Sequence, residues 1–119
     1  MELLVDILIG LVALLHLLFL WLEMFAWTTR AYKVFKGYSR EFFQQTRVLA
    51  ANQGLYNGFL AAGLIWSFFI SDLVWQENIR LFFLFCVVLA GIYGAVTASR
   101  KIFFIQALPA LIAILLILI

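Results

Sequence analysis

The first predicted helix of this chain carries the residues with the clearest capacity for chemistry, His16 and Glu23. They are seven residues apart, so two helical turns place them on one face, and Trp27 follows one turn further on. An imidazole and a carboxyl on one face can exchange protons with a substrate, and an indole beside them can stack on a cation. One histidine and one nearby glutamate offer two metal ligands at most, so we predict no metal and no cofactor.

A second set of polar side chains lies on the helix that is predicted to begin at residue 47. Asn52 and Tyr56 are four residues apart, and so are Gln53 and Asn57. Because residues i and i+4 share a helix face, these two adjacent lines form one broad polar face. Amides in this arrangement can orient a substrate or stabilise an oxyanion.

The composition predicts that the elements positioning these residues cross a membrane. Apolar residues make up 67% of the 119 residues, charged residues make up 12%, and the mean hydropathy is +1.14. A soluble domain has about a quarter of its residues charged, so both a soluble globular domain and a disordered chain are excluded. The net charge of +2 gives no basis for binding nucleic acid, and the single Cys86 excludes a disulfide framework.

Four long stretches with few or no charges predict four transmembrane helices, at roughly residues 4–27, 47–71, 80–98 and 102–119. Runs such as LLHLLFL at residues 14–20 lack the alternation of a membrane β-barrel. The predicted fold is therefore all-α, a membrane-spanning four-helix bundle forming a single integral membrane domain over residues 1–119. Pro109, within the fourth span, predicts a kink.

The cations predict the orientation of the chain in the membrane. Two connections contain seven of the eight cations, namely Arg30, Lys33, Lys36, Arg40 and Arg47 in the first and Arg100 and Lys101 in the other. Cationic loops remain in the cytoplasm, so we predict a bacterial inner or plasma membrane protein with both termini outside. In the first connection, cations and aromatic residues at helical spacing predict an interfacial amphipathic helix, with membrane lipid as its partner.

This topology brings polar residues from all four spans into one layer. At about 1.5 Å per residue, this layer lies in the cytoplasmic half of the bilayer, and three further polar residues lie deeper in the membrane, namely His16, Tyr56 and Asn57. We therefore predict a shared pocket that binds a small-molecule or lipid-like ligand. Its predicted ligand-binding residues are His16, Glu23, Trp27, Asn52, Gln53, Tyr56, Asn57, Tyr93 and Gln106.

Small residues recur every four positions in two of the predicted spans. They are Gly54, Gly58 and Ala62 in the second span, and Ala90, Gly94 and Ala98 in the third. Helices in lipid associate through close packing at such positions, so we predict that the second and third spans pack together. One of the two series could instead form a subunit interface.

Several motifs together resemble a known family. They are NQGLYNGFLAAG at residues 52–63, EMFAW at 23–27 with His16, AGIYGA at 90–95, and QALPA at 106–110. They resemble a family of small bacterial integral membrane proteins of about this length, catalogued as a domain of unknown function. The resemblance covers nearly the whole chain and implies a four-helix membrane protein, but no activity.

A second resemblance is to the small multidrug-resistance exporters, which also have about this length, four spans and a membrane carboxylate in the first helix. Glu23 departs from that pattern because it lies near the cytoplasmic end of its span. The amide-rich second span and the fourth span, which has no glycine face, also depart from it.

Three functions are compatible with these features. The most concrete is proton-coupled transport of a small organic molecule, for which a homodimer would complete the pathway. The second is a membrane enzyme with isomerase-like acid–base chemistry on a lipid-soluble substrate, similar to sterol-isomerase-type proteins. The third is a non-catalytic lipid-binding or assembly subunit.

Overall fold

The computed structural model describes residues 1–119, and all of its regular structure is helical. The elements are α1 (Glu2–Met24), α2 (Ala31–Val34), α3 (Arg40–Gln45), α4 (Arg47–Ser67), α5 (Leu73–Thr97), a π-helical segment (Phe103–Ala107) and α6 (Leu108–Leu118). The predicted all-α class is confirmed. Two helices, α1 and α5, are long and apolar enough to cross a membrane, and Phe103–Leu118 is a shorter apolar helix.

The third long helix begins at Leu73, well before residue 80, where the predicted span begins. Asp72 caps it, because its carboxylate accepts a hydrogen bond from the Trp75 backbone N–H at 3.0 Å. The predicted start at residue 80 was wrong because it left Glu77 in the preceding connection, whereas α5 contains Glu77 as well as Arg80. The first and second spans end earlier than predicted, at Met24 and Ser67.

The fourth predicted span contains a change of helix type immediately before Pro109. Residues Phe103–Ala107 are π-helical, and the Leu108 backbone N–H bonds to the Phe103 carbonyl five residues back. Proline has no N–H to offer the carbonyl of Ile105, so the regular α-helical ladder is interrupted at this place. The helix is therefore π-helical just before Pro109, and the kink predicted there stays a prediction.

The chain divides into two compact units, Met1–Leu15 with Leu60–Ile119, and His16–Phe59. The first unit has an apolar core to which α1, α4, α5 and α6 all contribute. The completely buried side chains of this core include Ile9, Leu64, Leu84, Val87, Ala110 and Ala113. The prediction of one domain over residues 1–119 stays a prediction.

In the second unit, the connection between α1 and α4 is folded. We call residues 25–46 the cap. Its two short helices, α2 and α3, are separated by a turn that includes Gly37, whose φ of 98° suits glycine. Ser39 then caps α3, and its hydroxyl accepts a hydrogen bond from the Phe42 backbone N–H at 3.1 Å. The predicted amphipathic helix is therefore interrupted, because residues 35–39 are not helical, and its place at the membrane interface stays a prediction.

The small residues pack against partners other than those predicted. A Cβ on Gly54 or Gly58 would meet Leu20 of α1, whereas a Cβ on Gly94 would meet Ile102. Ala62, Ala90 and Ala98 are exposed. The predicted pairing of the two series is therefore wrong. The connection after α5 is short, so the next helical segment packs beside α5 and occupies its small-residue face.

Contact between α4 and α5 occurs at Gly63, outside the predicted series. A Cβ at Gly63 would collide with the ring of Phe83. The bulky ring thus replaces the small-to-small packing that the four-residue spacing predicts.

Candidate functional site

Glu23 forms the polar centre of the second unit. It lies in the last turn of α1, is 7% exposed, and its Oε1 accepts a hydrogen bond from Nδ2 of Asn57 at 2.7 Å. No lysine or arginine forms an ion pair with it, since the ion pair of this structure joins Asp6 and Arg80. A buried carboxyl group is thus held by a neutral amide alone, which leaves the charge of its ionised form uncompensated.

The close approach of α1 and α4 at Gly54 explains how this bond forms. A Cβ on Gly54 would lie 2.8 Å from Cγ of Met24, 3.0 Å from Cβ of Glu23 and 3.2 Å from the carbonyl oxygen of Leu20. Gly54 and Asn57 are three residues apart, so they lie on neighbouring positions of one helix face. The absence of a side chain at Gly54 lets the short Asn57 amide reach the carboxyl group.

Trp27 lies four residues after Glu23, near the start of the cap, and connects it to the end of the cap at Thr46. Its indole Nε1 donates a hydrogen bond to Oγ1 of Thr46 at 2.9 Å, and that hydroxyl donates to the Phe42 carbonyl at 2.7 Å. Its ring also meets Phe43 edge-on, with centroids 5.0 Å apart. These contacts give Trp27 a structural role, and its predicted contact with a ligand stays a prediction.

His16 is completely buried two turns before Glu23 on α1. Its ring meets Phe19 edge-on, with centroids 5.5 Å apart. The sequence therefore predicted correctly that α1 carries both residues within one helix, and the structure adds that both are buried.

The remaining α4 candidates lie on a surface beside this centre. Asn52, Gln53 and Tyr56 are exposed, and Tyr56 contacts Phe59 with a ring separation of 5.8 Å. Of the three amides predicted for this face of α4, Asn57 bonds to Glu23, whereas Asn52 and Gln53 do not. The rotation of α4 about its axis, set by the close approach at Gly54, explains this difference.

Tyr93 and Gln106 belong to the first unit, whereas the other seven predicted ligand-binding residues belong to the second. Tyr93 is exposed on α5, and its backbone carbonyl accepts a hydrogen bond from the Thr97 hydroxyl at 2.7 Å. Gln106 is half-buried within the π-helical segment. Their place in a pocket shared with Glu23 stays a prediction.

A second polar centre, which was not predicted from the sequence, surrounds Arg80 in the first unit. Arg80 is 7% exposed, its Nη2 lies 2.8 Å from Oδ1 of Asp6, and its Nε donates to the Ser67 hydroxyl at 3.2 Å. The guanidinium also lies over the Phe68 ring, 5.0 Å from its centroid. The sequence contains one sign of this centre. Arg80 is a cation next to a long uncharged run, so a residue distant in the sequence has to pair with it.

A cavity of about 180 Å³ adjoins this second centre. Asp6, Gln76 and Arg80 contribute polar groups to its lining, and Val5 and Leu73 contribute apolar ones. A groove of about 470 Å³ lies between the end of α5 and the π-helical segment, beside Arg100. Neither cavity contains any of the nine predicted ligand-binding residues.

The fold and its two buried polar centres define an all-α protein in which two helices are long and apolar enough to cross a membrane. The chain belongs to the family described as "Protein of unknown function (DUF1304)", whose model matches residues 10–118. It is similar to the "Uncharacterized protein YpaA" of Lactococcus lactis subsp. lactis (strain IL1403), with 32% identity over 117 residues, which is 97% of each chain. No solved structure matches. Membership of a family of unknown function, predicted from the motifs, is confirmed.

Proposed function

We propose that this chain is an integral protein of the bacterial inner or plasma membrane with four spans. The length and apolar character of α1 and α5 support two of them. The polar α4 and the shorter Phe103–Leu118 would supply the other two, because each contains a long stretch without charged residues. The two cationic connections support an orientation with both termini outside.

Reporter fusions test this topology. A periplasm-active phosphatase fused after Ile119 or Asp72 is expected to be active, whereas the same reporter after Gly37 is expected to be inactive. The reason is the excess of Lys and Arg in residues 30–47, which keeps that connection in the cytoplasm. A reporter that fluoresces only in the cytoplasm serves as the complementary control. If it fluoresced after Ile119, the proposed orientation would be wrong.

At the Glu23–Asn57 centre, we propose that a small organic molecule binds and is transported in exchange for a proton. The observation that supports this is a buried carboxyl group with a neutral amide partner and no lysine or arginine. In hydrocarbon such a group is stable with a proton on it, or with a cation bound in place of the proton. Alternation between these two occupants is the elementary step of proton-coupled exchange.

The surroundings of Glu23 suit an amphiphilic cation. Trp27 and Tyr56 belong to the same unit as Glu23, and the faces of aromatic rings attract cations. Asn52 and Gln53 are exposed on α4, where amide groups facing lipid would be unfavourable without a polar partner. A bound ligand, a lipid headgroup or a second copy of the chain would provide that partner, and a homodimer would also complete a pathway.

Uptake into proteoliposomes tests the proposed transport. An imposed proton gradient is expected to drive uptake of the lipophilic cation ethidium into vesicles containing the wild-type protein. Glu23→Gln is expected to reduce this uptake by about tenfold or more, because an amide cannot exchange a proton. Glu41→Gln is the matched control, since Glu41 is exposed in the cap and bonds only to Gln45, and it should leave uptake unchanged. Equal uptake by wild type and Glu23→Gln would contradict the proposal.

One observation favours a second candidate, a non-catalytic assembly protein in which Glu23 joins two helices. The Glu23–Asn57 bond and the tight contact at Gly54 lie side by side, as a structural clasp between α1 and α4 requires. Thermal unfolding separates the candidates. If Glu23→Gln keeps the wild-type melting temperature, Glu23→Ala lowers it, and no variant affects uptake, the clasp is favoured over transport.

A further inference from the structure

The cap has a small core of its own, which holds its surface side chains in defined positions. Ala31 is completely buried, and Phe43 is almost completely buried. The Trp27 indole bonds to Thr46 at the far end of the cap, and its ring packs against Phe35 and Phe43. The cap is therefore a folded platform, unlike a flexible linker whose charges would move independently.

The surface of this platform is strongly cationic. Residues 25–46 contain four cations and one acid, and all five are exposed: Arg30, Lys33, Lys36, Arg40 and Glu41. Four cations and one acid leave a net charge of +3, and the acid forms no ion pair with the cations because its carboxylate accepts a hydrogen bond from the Gln45 amide at 3.2 Å. An anionic partner is the occupant that such a surface fits electrostatically.

Two of these cations converge on one aromatic ring. The Arg40 guanidinium lies 4.8 Å and the Lys33 ammonium 5.9 Å from the centroid of Tyr32, and Nη2 of Arg40 donates to the Tyr32 hydroxyl at 3.5 Å. Two cations held beside the same ring repel each other, so an anion bound between them would relieve the repulsion. A phosphate is suited to this place because arginine and lysine together offer it several charged donors.

Exposed aromatic side chains indicate that the anion is part of a bilayer. Tyr38 stacks on Phe42 with centroids 4.5 Å apart, and both Tyr38 and Phe35 are exposed. Aromatic rings of this kind reside in the interfacial layer of a membrane, where one side is apolar and the other hydrated. A soluble phosphate would leave these rings in water, whereas a phospholipid would cover them with acyl chains.

We propose that the cap binds the headgroup of an anionic phospholipid, with the lipid phosphate between Lys33 and Arg40 and the rings of Phe35 and Tyr38 in the acyl boundary. This site is separate from the Glu23 centre and does not take part in the proposed transport. It assigns the cap a specific lipid-binding surface, in addition to the general electrostatic attraction of a cationic loop.

Lipid retention by the full chain tests this proposal. The protein is placed in nanodiscs of phosphatidylcholine with one fifth phosphatidylglycerol, then released into detergent, and the lipids that remain bound are measured by native mass spectrometry. The wild type is expected to retain phosphatidylglycerol in preference to phosphatidylcholine. Lys33→Gln with Arg40→Gln should reduce that retention by at least about fivefold, because each cation near an anionic surface contributes roughly a factor of five.

The matched control is Arg100→Gln with Lys101→Gln, which removes two exposed cations from the other cationic connection. This control is expected to retain phosphatidylglycerol as the wild type does. Glu23→Gln should also retain it, because the lipid site does not depend on the proposed transport. The melting temperature in a zwitterionic detergent without phosphatidylglycerol checks that the double variant of the cap, Lys33→Gln with Arg40→Gln, is folded. If it is not folded, the single variant Lys33→Gln takes its place.

Three results would overturn the proposal. The first is equal retention of both lipids by the wild type. The second is an equal loss in the cap variant and the Arg100 and Lys101 control, which would show a general charge effect. The third is an equal rise in the melting temperature of the wild type when inorganic phosphate or phosphatidylglycerol is added in detergent, which would show that the site binds free phosphate as well as it binds the lipid.

Discussion

Replacing Gly91 by alanine is expected to destabilise the protein more than the same replacement at Gly54, the other glycine where an added Cβ would meet the backbone of a neighbouring helix. The new Cβ would lie 2.8 Å from both the backbone nitrogen and the Cβ of Ala107, and 3.1 Å from its Cα. A backbone cannot rotate away as a side chain can, so α5 and the π-helical segment would have to separate. Overpacking of this kind costs about 1–3 kcal/mol, which should appear as a lowered melting temperature in detergent.

Gly58→Ala is the matched control for this prediction. Its Cβ would lie 2.6 Å from Cδ1 of Leu20, the end of a flexible side chain that can move to another rotamer. Both glycines lie in helix interiors, where alanine is favoured by about 1 kcal/mol, but only at Gly91 does a collision with backbone oppose this gain. The melting temperature of Gly58→Ala should therefore be close to that of the wild type. If the two alanine variants melt alike, the contact of Gly91 with Ala107 is looser than the structure indicates.

Removing the negative partner of Arg80 is expected to cost more stability than removing Arg80 itself. Asp6→Asn would leave the buried guanidinium with the Ser67 hydroxyl and the Phe68 ring but no counter-charge. Loss of one partner of a buried ion pair costs about 3–5 kcal/mol, and because Asp6 is 43% exposed we expect about 1–3 kcal/mol. Arg80→Met leaves a carboxylate that water can hydrate, so its cost should be smaller.

A double-mutant cycle measures this coupling. Asp6→Asn with Arg80→Met should melt at a higher temperature than Asp6→Asn alone, because no buried charge remains unpaired. Glu77→Gln is the control, since Glu77 is exposed on the same helix and forms no ion pair. A double variant that is less stable than both single variants would show that the pair is not an energetic unit.

Much of the helical architecture follows from the sequence. The long stretches with few charges predict the long helices, and the start of α4 at residue 47 agrees with the prediction. The start of α5 does not agree, because a count of charges begins the span at Arg80, the cation that precedes the uncharged run. A helix can contain such a residue when Asp6 and Ser67 satisfy it, and those two residues are distant from it in the sequence.

The sequence also identified Glu23 as the residue of interest, since a carboxyl group in an apolar helix needs a partner. It could not determine which amide would be that partner. One line of polar residues on α4 runs through Asn52 and Tyr56, and the other runs through Gln53 and Asn57. The two lines are about 100° apart around the helix axis, so a modest rotation of α4 decides which line faces Glu23. The close approach at Gly54 sets that rotation and brings Asn57 to the carboxyl group.

By itself, the sequence determined the helical class, the approximate extent of the long helices and the presence of a buried acid on α1. Those properties depend on hydropathy and on local periodicity, which each segment carries independently of the rest. Only the tertiary structure decided that Glu23 pairs with Asn57, that Arg80 pairs with Asp6, and that the glycines of α5 pack against the helical segment that follows it. Each of these pairings depends on which faces of two helices meet. Close contacts at glycine and hydrogen bonds between buried polar groups together determine those faces, and both involve residues that are far apart in the sequence.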